Sequence, residues 1–151
     1  MRGRILRVAL LTTLVALPAI AGCIPRVPGE PPQPTIQPPL QDTSWVLDSL
    51  GPQNNQRPVL AGSNVTLSFT GDSEASGNAG CNSYGGTYES NLEGELTFGD
   101  LFHTEMYCVA PGLMDQEQEF LDALMGANRY EYVDGALHIS GVGTLLIFSR
   151  A

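Results

Sequence analysis

The sequence predicts an α+β domain that is mostly β, built from short strands with one helix. Three observations predict it. "NVTLSF" (Asn64 to Phe69) alternates apolar and polar residues, the period of a half-buried strand. "RYEYV" and "ALHIS" alternate likewise on either side of Asp134-Gly135, a pair suited to a two-residue hairpin turn. Only the stretch from Pro111 to Met125 carries apolar residues at helical spacing.

The elements follow in order. "TSWVLDSL" (Thr43 to Leu50) places Trp45 and Leu47 on one face of a strand. In "NVTLSF" the inward residues are Val65, Leu67 and Phe69. "GTYES" reads as a strand, and so does "GELTF", with Leu96 and Phe98 on one face. In the hairpin, His138 stands between Leu137 and Ile139 and reads as an outward residue. Gly141 to Gly143 turns the chain into a last strand, "TLLIFS". In the helix, Leu113, Phe120, Leu121, Leu124 and Met125 form an apolar stripe. Pro111 suits the first turn, and Gly126 and Asn128 are stop signals.

Glu117 interrupts that stripe. It lies four residues after Leu113 and three before Phe120, so it shares the apolar face. A carboxylate there must find donors, because burying it unpaired is costly. The reading is that it bonds backbone N–H groups of a neighbouring loop and locks the helix to the sheet. A ligand-binding or catalytic carboxylate is the rival.

The N-terminus sets the compartment. Arg2, Arg4 and Arg7 precede an apolar run from Val8 to Leu17, too short to span a bilayer, which needs about 20 apolar residues. These are the proportions of a secretory signal. The run ends in Ile20-Ala21-Gly22-Cys23, which resembles the bacterial lipobox. That resemblance implies a signal peptide over residues 1–22 and lipidation of Cys23 by diacylglycerol. Residues 23–41 hold seven of the eleven prolines and read as an extended stalk. Residues 42–151 form one domain.

All seven basic residues are arginine, and three fall in the signal. Four then face sixteen acidic residues. That excess argues against nucleic acid and against electrostatic binding to anionic lipid.

Cys81 sits in "SGNAGCNSYGGTY" (Ser76 to Tyr88), a stretch that reads as a turn made possible by Gly77, Gly80, Gly85 and Gly86. Three chemistries could place a cysteine there. Export and lipidation of Cys23 leave only Cys81 and Cys108, and an oxidising compartment favours their disulfide. Zinc would find only His103 beside the two cysteines, without ligand spacing. A nucleophilic Cys81 would need His103 or His138 as base.

Taken in order, Trp45, Gly80-Cys81-Asn82, Thr104-Glu105-Met106-Tyr107-Cys108, Met114 with Glu117, and Leu146 with Phe148 resemble the META, or HslJ-like, domain. The resemblance covers nearly everything after the stalk. It implies a compact antiparallel barrel-like sheet with one helix packed on it, and a bridge between Cys81 and Cys108. It marks Gly80, Asn82, Thr104, Met106 and Glu117 as structural motif positions. It also implies an envelope lipoprotein loosely associated with stress tolerance, antibiotic resistance and secretion or virulence, and it implies no reaction, cofactor or metal.

The functional expectation is a non-enzymatic, membrane-anchored envelope lipoprotein that binds a protein partner or serves under envelope stress. The alternative is a carrier of a lipid or small apolar ligand in the barrel interior. An enzyme is disfavoured, because no motif brings nucleophile, base and oxyanion donors together.

Overall fold

The structure, a computed structural model, describes residues 35–151. The expected signal peptide, Cys23 and most of the expected stalk lie outside the described residues. Nine strands and one helix follow in the order β1 (Thr43–Pro52), β2 (Arg57–Pro58), β3 (Thr66–Thr70), β4 (Glu74–Asn78), β5 (Ser83–Ser90), β6 (Leu96–His103), α1 (Leu113–Met125), β7 (Ala127–Val133), β8 (Ala136–Gly141) and β9 (Thr144–Arg150). The strands make one antiparallel sheet in the order β6-β5-β4-β3-β1-β9-β8-β7, with the short β2 paired to β1.

The sheet curls into a partly closed barrel. Its two end strands meet at one bridge, Glu95 with Arg129, beside a bond from the Tyr130 N–H to the Gly94 carbonyl. α1 packs against β6, β8 and β9. Phe120 of α1 enters the curl between Tyr84 of β5 and Phe148 of β9, with edge-to-face ring separations of 5.6 and 6.4 Å.

Alternation works as expected in β3, where Leu67 and Phe69 are buried and Ser68 is not. In β1 a bulge at Asp48 shifts the alternation by one, so the inward set is Trp45, Leu47 and then Leu50. The hairpin turn has positive φ at both Asp134 and Gly135, as a type I′ turn requires. The interior is filled by side chains, among them Trp45, Leu67, Phe69, Phe120, Tyr130 and Phe148, all at most 2% exposed. The space that the ligand-carrier alternative needs is occupied by this core.

Four expectations change. The stretch from Ser76 to Tyr88 is not one flexible turn. Its middle, Ala79 to Asn82, is the turn, and its flanks are strands β4 and β5. Of its glycines only Gly80 has positive φ. Gly77 is there for close approach: a Cβ on it would lie 2.0 Å from the Thr66 carbonyl oxygen.

Residues 37–40, expected in the stalk, pack on the domain. Leu40 is buried in the core, the Gln37 N–H donates to the Leu92 carbonyl, and the Gln37 side-chain oxygen accepts from the Tyr132 N–H. The Tyr130 hydroxyl donates to the Pro38 carbonyl. Proline content hid these anchoring contacts.

The helix begins at Leu113, after a left-handed Gly112, and not at Pro111. Met125, expected on the buried stripe, is exposed in the last turn.

Candidate functional site

The motif residues converge where the β4–β5 turn meets α1 and the loop that follows β6. Gly80, at φ 120°, turns the chain so that the next two backbone N–H groups face the helix. Both find Glu117. The Cys81 N–H donates to its Oε2 at 3.0 Å and the Asn82 N–H to the same oxygen at 2.6 Å. The Asn82 side-chain amide donates to Oε1 at 2.6 Å. Glu117 is 3% exposed, and three N–H donors compensate its desolvation. Its position is therefore that of a brace.

Asn82 passes the brace on. Its second amide hydrogen goes to the Met106 carbonyl at 3.0 Å. Its side-chain oxygen accepts from the Thr104 hydroxyl and the Met106 N–H, each at 2.7 Å. All four hydrogen-bonding positions of the side-chain amide are filled. The disulfide between Cys81 and Cys108, Cα to Cα 6.0 Å, fixes the far end of the same loop.

The loop from Thr104 to Val109 is thus held through its backbone and its cysteine, while its apolar side chains face solvent. Met106 is 56% exposed, Tyr107 82% and Val109 87%. Sequence reasoning did not reach this exposure. It also missed Gln116, buried beside Glu117, whose side-chain oxygen accepts from the Leu60 N–H at 2.7 Å and whose amide donates to the Ser63 hydroxyl.

The two histidines do not join the site as ligands. His103 is exposed, with Nδ1 near the Thr104 carbonyl, and His138 stands half-buried in β8. Among the described residues no group of three or more His, Cys, Asp or Glu is arranged to hold a metal. Tyr84 of β5 donates to the Thr66 carbonyl at 2.8 Å, and burial pushes its pKa far above 10.

The sequence pattern of the META domain matches residues 38–151, about three quarters of the chain. The chain belongs to the META domain family. A META domain start at residue 38 agrees with the packed Gln37 to Leu40 segment. Among solved structures, the chain is similar to a protein from Burkholderia xenovorans determined by NMR. The TM-score is 0.64 at 30% identity, over 83% of this chain and 99% of that one. A second NMR structure matches at TM-score 0.59 and 25% identity, over 73% and 90%. A DUF4847 family protein from Bacteroides vulgatus, at 14% identity and TM-score 0.52, over 73% and 93%, shares the fold. None of the curated proteins matches the chain.

Proposed function

We propose that the chain is a lipoprotein of a bacterial envelope, acylated at Cys23, whose META domain is a non-enzymatic module that binds a protein partner. The observation that carries the partner reading is the braced loop. A buried carboxylate, a saturated asparagine and a disulfide all act on one short segment whose large side chains Met106, Tyr107 and Val109 bury little within the chain. Exposed apolar clusters mark interaction surfaces. A loop ordered in advance loses less entropy when it docks, so more of the contact energy appears as affinity.

The anchor rests on the sequence: three arginines, a short apolar run and Ile20-Ala21-Gly22-Cys23. Each buried methylene contributes about 0.8 kcal/mol, so the two chains of a diacylglycerol hold where one would not. The proline-rich stalk then sets the domain off the membrane. Ile24 stands where an inner-membrane retention signal would resemble an aspartate, which favours an outer membrane where one exists.

The test places a photo-crosslinking residue at position 107 in the native cell. The expected result is one protein of defined mass, captured also from position 109 but not from Asn54, exposed in the turn after β1. Capture of lipid alone, or of nothing, overturns the partner reading. Incorporation of labelled fatty acid, lost in Cys23→Ser, tests the anchor separately.

A further inference from the structure

The outer face of the sheet carries a second feature. The β4–β5 register sets Glu74 opposite Thr87 and Ser76 opposite Gly85. The β5–β6 register sets Gly85 opposite Phe102 and Thr87 opposite Gly99. These residues line a groove of about 500 Å³ together with Thr70 and Asp100. Its floor is the backbone of Gly85 and Gly86. Its wall is Phe102, whose ring tip comes within 2.9 Å of where a Cβ on Gly85 would stand and which is still 70% exposed. A side chain at Gly85 would push that ring away.

Glu74 and Asp100 bring two carboxylates to it, both on exposed residues. Asp100 has φ 49°, a left-handed conformation that a β-carbon disfavours, at the break in register between Gly85 and Thr87. The chain has no lysine, and two of the three arginines of the described residues are engaged elsewhere. Arg57 pairs with Glu119, and Arg150 lies over the Trp45 ring at 5.0 Å.

We infer that this groove docks an arginine or lysine side chain presented by an extended segment of a partner protein. The exposed ring of Phe102 attracts a cation through its quadrupole, the carboxylates complete the charge, and the same ring offers apolar surface to the aliphatic stem. Arg150 over Trp45 is the same chemistry satisfied within the chain. No residue of the Thr104 to Val109 loop lines the groove, and failure of either proposal leaves the other in place.

The test is an NMR titration of the isotope-labelled full chain with a capped Gly-Arg-Gly peptide. Capped Gly-norleucine-Gly, capped Gly-Glu-Gly and tetramethylammonium serve as comparison probes. The expected result is saturable shifts at the Gly85 and Gly86 amides and the Phe102 ring with the arginine peptide. That affinity should fall at least about tenfold in Phe102→Leu and in Glu74→Gln/Asp100→Asn, each with an otherwise unchanged amide spectrum; tenfold corresponds to about 1.4 kcal/mol. Equal binding of the norleucine peptide, or shifts spread over all acidic residues without saturation, overturns the proposal. Binding of tetramethylammonium as tight as that of the peptide would make the groove a small-cation site and overturn it too.

Discussion

Glu117 and Asn82, 35 positions apart, are joined twice: one carboxylate oxygen accepts the Asn82 backbone N–H and the other its side-chain amide, both at 2.6 Å. The pair fixes α1 to the β4–β5 turn. Through the other hydrogen bonds of Asn82 it also fixes the loop that carries Met106.

Glu117→Ala should therefore lower stability by about 3 kcal/mol, because it leaves three buried donors unpaired. Glu117→Gln should also destabilise, by less. Its amide would face the Asn82 amide donor to donor, and turning Asn82 would break the bond to the Met106 N–H. Thermal melting of both variants checks this. A midpoint unchanged in Glu117→Ala would contradict the brace.

Reduction of the disulfide should cost about 3.5 kcal/mol on the chain-entropy model, given a sequence separation of 27. Labelling with iodoacetamide under denaturing conditions should find neither Cys81 nor Cys108 before reduction and both after it. Labelling of both before reduction would contradict the staple.

Gly77→Ala should destabilise by about 3 kcal/mol, since the added carbon would stand 2.0 Å from the Thr66 carbonyl oxygen and backbone must move. Urea unfolding measures it. A neutral result would show that β3 and β4 can separate freely.

Why was Gly77 misread, when Glu117 was not? The evidence for Glu117 is local: a charge on an apolar stripe is visible in one helical turn. Gly77 answers to Thr66, a contact across strands, and composition alone made its segment look like a turn. Residues 37–40 failed similarly, because prolines mask the two residues, Gln37 and Leu40, that pack. The alternation of Leu67 and Phe69 and the Asp134-Gly135 turn were legible, since period and turn chemistry are carried by neighbours. Met106 shows a further limit. Its motif position is explained by its backbone bonds to Asn82, while its side chain, exposed, does something that the motif does not state.

Stability should fall as pH rises above about 10. Burial raises the Tyr84 pKa in the folded state, so its phenol stays neutral there while the unfolded chain ionises near 10. That contribution is complete below pH 10 and is lost at about 1.4 kcal/mol per pH unit above it. Tyr84→Phe should be less stable at pH 8, by about 1 kcal/mol for the lost bond to the Thr66 carbonyl, yet less sensitive to alkali. Urea unfolding at several pH values between 8 and 11 compares the two slopes. Equal slopes would contradict the assignment.

The central claim is that Met106, Tyr107 and Val109 serve a surface outside the chain and contribute little to the fold. The melting midpoint of Met106→Ser/Tyr107→Ser/Val109→Ser against the unaltered chain tests it most directly. The expected result is no change beyond about 1 °C, because exposed substitutions away from caps and cores stay within a few tenths of a kcal/mol. A fall of about 10 °C, the size expected for loss of the Glu117 brace in a domain of this length, would show that these side chains hold the fold and would contradict the account.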